Sequence, residues 1–354
     1  MAAAAHWLLC GVLMTAVTSS TAHTCSVKAT DSGITVNCQN QGYSAIPDDL
    51  PTVNVTTLDF TGNKLSALTD YMFDSFSDLR KLVLMQNPIK SYTARAFAGL
   101  KRLVYLDLSM TLLTSINTSL CRDMSALRYL VIVYGYSLNS LSDDAFQGCN
   151  ELHGVAIIGT LTLQTINKVF ANLPELARLY LEDNENLQLT DPHAFDNSPQ
   201  LVFLSLKGMG EQLSQLPKAV TSITSLQTLN VSNSRFTTFS TADTAFFDKL
   251  QVLEASGNPY TCTCDTTHFI TWFQHTHVIA DKTDYECSLC ANCADSGLVK
   301  DYNTKTCGGV TLRDTCFACY VTLIVAAVVI PVAVIIALVV YIRRRRRRSG
   351  YSQM

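Results

Sequence analysis

Three cysteines near the C-terminal end of the chain have a spacing that could support metal chemistry. Cys287, Cys290 and Cys293 form a Cys-x-x-Cys-x-x-Cys run, and thiolates at such intervals can hold zinc or an iron–sulfur cluster. A redox-active Cys-x-x-Cys would need a thioredoxin-like βαβ context, which the sequence lacks. In an oxidising compartment such cysteines form disulfides instead. We therefore expect disulfide bonds here, with no metal and no cofactor.

No other group of residues predicts catalysis. The seven histidines are scattered, and His275 and His277, beside Trp272, are expected to be exposed residues rather than ligands. The sequence contains no Gly-x-Ser-x-Gly nucleophile elbow, phosphate-binding loop or His-Glu-x-x-His zinc motif. The chain is therefore not expected to be an enzyme.

The N-terminus and the distribution of charge indicate export. An apolar run from Trp7 to Val17 and the small residues that follow it resemble a signal peptide cleaved before His23, so the 13 cysteines should be mostly paired. Of the 26 basic residues, six are the consecutive arginines 343–348, which leaves 20 against 29 acidic residues elsewhere. The acidic remainder lacks phosphate-neutralising charge, so nucleic acid is not an expected partner. The acidic excess could also serve only to keep a secreted domain soluble.

A leucine pattern recurs through most of the chain. The segment from Leu79 to Arg102 contains the spacing L-x-x-L-x-L-x-x-N-x-L. The spacing restarts every 24 or 25 residues, at Val55, Leu79, Leu103, Leu127, Leu152, Leu176, Leu201, Leu226 and Leu250. Nine copies in a fixed register predict a leucine-rich repeat solenoid, an α/β fold whose stacked strands form a parallel sheet on the concave face.

Each position of the repeat has an expected place. Apolar side chains at positions 1, 4 and 6 should point inward and those at 3, 5 and 7 outward, because strand side chains alternate. The Asn at position 9 should turn the chain and bond the neighbouring backbone. It is present at Asn63, Asn87, Asn184 and Asn258, with Thr111 and Thr160 as weaker substitutes and an irregular turn around Gly135. A convex phenylalanine column comprises Phe73, Phe97, Phe146, Phe170 and Phe195.

Outward positions of repeats two to seven predict a ligand-binding face for a protein or other macromolecule. These positions carry aromatic, β-branched and methionine side chains, and the repeats on either side carry polar ones. An apolar, aromatic-rich patch with a polar rim is typical of an interaction site. The members are Val83, Met85, Tyr105, Tyr129, Val131, Val133, Tyr134, Ile158, Tyr180 and Phe203, and we call them the concave patch. The alternative is that these residue types are present only for their strand propensity.

The N-terminal cap and the convex side contain further candidate modifications. Cys25 and Cys38 flank a short alternating strand and should pair, because a solenoid end must be covered. Cys121 and Cys149 occupy inward convex positions and could pair or remain buried thiols. N-linked glycosylation acceptors begin at Asn54, Asn117 and Asn230.

The cysteine-rich segment after the last repeat resembles the C-terminal flank of Toll-like receptors and related leucine-rich repeat membrane receptors. Its motifs are Asn-Pro-x-x-Cys-x-Cys from Asn258, Phe-x-x-Trp-Phe from Phe269, Tyr-Glu-Cys from Tyr285 and Gly-Leu-Val from Gly297. The resemblance covers residues 25–342. It implies the pairs Cys262–Cys287 and Cys264–Cys307. Cys290 and Cys293 depart from the family pattern.

An apolar run without charges, residues 320–342, predicts one transmembrane helix that crosses as a type I span, because residues 343–348 are arginines. Just before it, Cys316 and Cys319 could pair locally or link two chains into a dimer. The tail after the span is too short for the signalling domain of Toll-like receptors, so direct signalling of that kind is not expected. Tyr351 and Met354 form a Tyr-x-x-Φ motif for a clathrin adaptor, with a phosphotyrosine site for a phosphoinositide kinase as the alternative.

The expected domains are a signal peptide (1–22), an N-terminal cap (23–54), the repeats (55–257), a C-terminal cap (258–316), a transmembrane helix (320–342) and a cytosolic tail (343–354). This organisation predicts a plasma-membrane receptor or co-receptor of innate immune recognition that cycles through endosomes or lysosomes. Two alternatives are a cell-adhesion or guidance receptor and a structural glycoprotein of endolysosomal membranes.

Overall fold

A computed structural model describes residues 24–117, 119–279, 282–289 and 297–302. In chain order the strands are β1 (Ser26–Thr30), β2 (Gly33–Asn37), β3 (Val55–Asp59), β4 (Ala67–Leu68), β5 (Lys81–Val83), β6 (Ser91–Tyr92), β7 (Tyr105–Asp107), β8 (Ser115–Ile116), β9 (Tyr129–Val133), β10 (Ser140–Leu141), β11 (Gly154–Ile158), β12 (Arg178–Tyr180), β13 (Phe203–Ser205), β14 (Thr228–Asn230), β15 (Val252–Glu254), β16 (Tyr260–Thr261) and β17 (Cys287–Leu289). The helices are α1 (Lys218–Thr221), α2 (Thr241–Phe247) and α3 (Thr267–His275), with 3-10 turns at Leu120–Arg122, Gly210–Gln212, Cys264–Thr266 and Val299–Asp301.

The main sheet confirms the predicted solenoid. It has eleven strands in the order β1-β2-β3-β5-β7-β9-β11-β12-β13-β14-β15, and all neighbours are parallel except the β1–β2 hairpin. Each repeat contributes one strand, and the residue at position 4, leucine in all repeats but the fifth, where it is Val155, is buried against the core, as Leu82, Leu106 and Leu130 show. Apolar burial along the stack is the main stabilising term, because one repeat cannot cover its own leucines.

The position-9 asparagines join successive repeats as predicted. Asn87 donates to the carbonyl oxygens of Phe60 and Leu84, at 2.8 and 3.0 Å, and accepts from the amide of Leu65 at 3.1 Å. Its side chain is 1% exposed, so these bonds satisfy backbone groups that water cannot reach. Where the asparagine is replaced by Thr160, the threonine instead donates to Asn184 of the next repeat.

The convex side is closed by the phenylalanine column and by short secondary structure. Phe146, Phe170 and Phe195 stack with ring centroids 5.6 and 6.5 Å apart, and Phe73 stacks on Phe97. The strand pairs β4–β6 and β8–β10 lie in separate two-stranded sheets. In the later repeats, the helices α1 and α2 follow the strands in place of these short strand pairs. Helix α2 begins with a capping box between Ser240 and Asp243.

Disulfides tie both caps and one pair of repeats. Cys25–Cys38 and Cys262–Cys287 are formed, as predicted. Cys264 is also disulfide-bonded, and its predicted partner, Cys307, lies outside the described residues. The alternatives left open for the convex cysteines are decided, since Cys121 and Cys149 form a disulfide with Cα atoms 5.0 Å apart.

Several sequence predictions concern parts of the chain that the structure does not describe. These are the signal peptide, most of the run around Cys290 and Cys293, Cys316 and Cys319, the span at 320–342, and the tail with Tyr351 and Met354. Among the described residues, no helix combines the length and the apolar character that crossing a bilayer requires.

Candidate binding face on the main sheet

The strand register places the concave patch in columns on the face of the sheet opposite the core. One column pairs Tyr105 with Tyr129, and another runs from Val83 through Asp107 to Val131. Val133 pairs with Ile158 at the ends of the two five-residue strands, β9 and β11. Tyr180 and Phe203, on β12 and β13, have ring centroids 4.8 Å apart. The structure therefore brings the predicted residues together on adjacent strands.

The members of the concave patch differ in exposure. Tyr129 and Tyr134 are exposed, at 40% and 42%, whereas Val83 is only 8% exposed and can offer little area to a ligand. The remaining members are half-buried, because neighbouring side chains on the sheet cover part of each one. The patch is therefore a packed surface with tyrosine rings raised above it, rather than a row of fully exposed side chains.

Two small residues in the centre of this face escaped the sequence analysis. Gly154 and Ala156, on β11, pair with Tyr129 and Val131 on one side and with Arg178 and Tyr180 on the other. A Cβ atom built on Gly154 would lie 3.0 Å from Cδ1 of Tyr129, so this tyrosine ring lies across the glycine. The absence of a side chain at position 154 thus sets the orientation of the exposed tyrosine.

A second group of apolar side chains adjoins the patch on the loops that follow the strands. Five residues of three successive repeats are each 40–53% exposed: Met110, Leu112, Tyr134, Tyr136 and Leu161. The rings of Tyr134 and Tyr136 stack with centroids 5.7 Å apart. We call these five residues the loop-edge cluster; only Tyr134 was predicted, because loop positions carry no periodic signal.

Two residues of the loop-edge cluster have a left-handed backbone. Met110 and Tyr134 have φ values of 53° and 56°, at a repeat position where the other repeats also have positive φ, at glycines such as Gly62 and at Gln86, Asp183 and Asn233. The left-handed region is unfavourable for bulky side chains and costs little for glycine. The left-handed turn is thus a feature of the repeat itself, and at Met110 and Tyr134 it carries large apolar side chains that are exposed at the surface.

One buried charged group, Asp107, lies within the apolar patch and was also missed. Asp107 is 9% exposed, and its carboxylate accepts hydrogen bonds from the amide of Ser109 at 2.9 Å and from the hydroxyl of Tyr105 at 3.4 Å. Burial, with the negative charge of Asp107 as a smaller cause, raises the pKa of the Tyr105 phenol. The Lys81 ammonium lies 5.0 Å from the centre of the Tyr105 ring. The sequence signal for Asp107 was its outward position 5 among apolar neighbours.

The rim of the face is polar, as predicted. Asp59 accepts from the side-chain amide of Gln39 at 2.6 Å, and Asn230 donates to Glu254 at 2.5 Å. Asn230 is also a predicted glycosylation acceptor, and Asn54 and Asn117 are exposed outside this face. Within the described part of the chain no group of three or more possible metal ligands occurs, and His275 and His277 are exposed, as expected.

Two family models match the chain. The leucine rich repeat model matches residues 53–113, and the model of the BspA type leucine rich repeat region matches residues 114–251. Together these matches cover more than half of the sequence, so the chain belongs to the leucine-rich repeat proteins. Its fold resembles those of Toll and TLR13.

Three solved structures illustrate the similarity. A chain of the Toll–Spatzle complex of Drosophila has a TM-score of 0.52 and 23% identity, over 59% of this chain and 27% of that one. A chain of the TLR13–ssRNA13 complex has a TM-score of 0.55 and 21% identity, over 76% of this chain and 42% of that one. Human 5T4 (Wnt-activated inhibitory factor 1, trophoblast glycoprotein) has a TM-score of 0.54 and 20% identity, over 79% of this chain and 95% of that one. The chain thus spans less than half of the Toll and TLR13 chains but nearly all of 5T4.

Proposed function

We propose that this protein is a membrane-anchored receptor or co-receptor that binds a macromolecule, a protein rather than a nucleic acid, on the concave patch. The observation that carries the proposal is the register of the patch, in which Tyr129, Val131 and Tyr180 lie on neighbouring strands around the small residues of β11. Exposed aromatic side chains with a polar rim are typical of protein interfaces. The acidic chain outside residues 343–348 supports a protein ligand over a polyanion.

The proposal is tested by placing charge in the patch. Cells display either the wild-type full chain or a double variant with Val131→Asp and Tyr180→Asp. They are probed with labelled, purified secreted and cell-surface proteins and with single-stranded RNA. Both side chains are half-buried, so the two carboxylates disrupt an apolar interface. Thr228→Asp, on the polar strand β14 of the same face, is the matched control.

The proposal predicts that at least one protein probe binds the wild type and the Thr228→Asp control but not the double variant. Equal surface level and equal melting temperature of the purified chains must accompany that loss. Undiminished binding by a folded double variant would place the site on another surface. Binding of RNA alone would reverse the choice of ligand class.

Innate immune recognition is our preferred biological role. It is supported by the structural similarity to Toll in its Spatzle complex and to TLR13 in its complex with ssRNA13. Adhesion or guidance is the second candidate, because the same fold also occurs outside Toll and TLR13, in 5T4, which is described as a Wnt-activated inhibitory factor and is covered nearly completely by this chain. Transcript induction by microbial challenge supports immunity, steady expression at cell contacts supports adhesion, and steady lysosomal residence supports a structural glycoprotein.

The anchor and the tail are proposed from the sequence. The uncharged run 320–342 and the arginines 343–348 support a single-pass type I protein at the plasma membrane, and Tyr351 and Met354 support adaptor-driven endocytosis. Antibody-feeding uptake should fall in Tyr351→Ala and in Met354→Ala but not in the control Gln353→Ala. Equal uptake by all variants would leave the tail as an anchor only.

A further inference from the structure

The Asp107 carboxylate interrupts an apolar column of the concave patch. Its register partners are Val83 on β5 and Val131 on β9, and the other ligand-facing residue of β7 is Tyr105. An isolated carboxylate in such surroundings is unfavourable unless a structural or functional requirement retains it. The bonding of its two oxygens separates these two explanations.

The structural requirement at this position is a hydrogen bond to the backbone. The same side-chain position on other strands of the sheet accepts from the amide two residues later, as Asn37 of the N-terminal cap does from Gln39 at 3.0 Å and Asn230 does from Ser232 at 2.9 Å. Asp107 makes the equivalent bond to Ser109 at 2.9 Å. Because asparagine performs this role twice in the same chain, the turn does not require a negative charge.

The second oxygen of Asp107 is poorly satisfied within the described part of the chain. At Asp59 the corresponding oxygen accepts from Gln39 at 2.6 Å, whereas at Asp107 it has only the Tyr105 hydroxyl at 3.4 Å. The three ion pairs of the described residues do not include Asp107, and the ammonium of Lys81 lies over the Tyr105 ring instead. Burying a carboxylate without a cation is costly, and a cation supplied by a ligand would remove that cost.

We propose that Asp107 is a specificity-determining residue that receives a lysine or arginine side chain of a protein ligand, with the half-buried Val131 contacting apolar groups beside that cation. This inference rests on the proposed function, because it places the cation within the same patch. Pairing with a carboxylate in a desolvated patch gives selectivity, since a ligand with an acidic or phosphate group at that point is repelled.

The test uses cells that display the full chain and a phage-displayed library of random peptides as the probe. Asp107→Asn removes the charge but keeps the hydrogen bond of the turn, which asparagine accepts at Asn37 and Asn230. Asp107→Lys reverses the charge. Asp59→Asn is the matched control, because it makes the same change in the same column outside the patch. Melting temperatures of the purified chains verify folding, and the variant with Val131→Asp and Tyr180→Asp identifies peptides that bind the patch.

Patch-dependent peptides should share a lysine or arginine next to apolar residues, and they should bind Asp107→Asn at least about tenfold more weakly but Asp59→Asn equally. Peptides with that cation changed to glutamate should regain binding on Asp107→Lys. Patch-dependent peptides without a basic residue, or with equal affinity for Asp107→Asn, overturn this inference and leave the proposed function intact. If no peptide depends on Val131 and Tyr180, the proposed function itself is overturned.

Discussion

The disulfide between Cys121 and Cys149 joins the third and fourth repeats, and its removal has a calculable effect. The two cysteines are 28 residues apart, and closing a loop of that length lowers the entropy of the unfolded chain by an amount worth about 3.5 kcal/mol. At about 2–4 °C per kcal/mol, the midpoint of thermal unfolding should fall by roughly 7–14 °C. Both side chains are at most 4% exposed, so loss of packing adds to this effect.

A cycle of single and double alanine variants distinguishes a cross-link from two independent thiols. If the bond exists, Cys121→Ala, Cys149→Ala and the double variant all lose the same cross-link, so each single variant destabilises nearly as much as the double. The measurement is thermal unfolding of the purified chains, with peptide mapping under non-reducing conditions to identify the linked segment. The Cys25–Cys38 pair, which must remain intact, serves as the internal control for oxidation.

Two results would refute this reasoning. Additive single-variant effects would show that each side chain contributes only its own packing. Labelling of both cysteines by a thiol reagent in denaturant, without prior reduction, would show directly that no bond exists. Either result would leave the convex side with two buried thiols, the alternative that the sequence left open.

Three further predictions concern the sheet and its polar contacts. Asn87→Ala removes three buried hydrogen bonds, two of them to the preceding repeat, and should lower the free energy of unfolding by about 2–4 kcal/mol in denaturant titrations. Gly154→Val should preserve the fold, because valine suits a strand, but it should displace the Tyr129 ring and reduce binding to the concave patch. Burial and Asp107 raise the pKa of Tyr105, so the neutral phenol stabilises the folded chain below pH 10.0, and this contribution is lost as the pH rises through the raised pKa. Asp107→Asn should lower that pKa in absorbance titrations corrected with Tyr105→Phe.

Much of the architecture follows from the sequence, because the information is periodic and local. The leucine spacing specifies nine strands and which side chains enter the core, and each asparagine such as Asn87 marks the turn that follows its strand. The Cys25–Cys38 pair was predictable because its two cysteines flank one short strand and a solenoid end must be covered. The polar rim and the clustering of aromatic residues also follow, since alternation assigns every second strand residue to one face.

The remainder depends on how residues of different repeats meet across the stack. The sequence identified Cys121 and Cys149 as inward-facing, but only the tertiary structure decided that their Cα atoms lie 5.0 Å apart and that they are bonded. It likewise decided that Tyr129 lies across Gly154 and that Asp107 makes no ion pair within the described residues. Repeat periodicity fixes the direction of a side chain, whereas its partners depend on the lateral register of strands that are separated by a whole repeat of the chain.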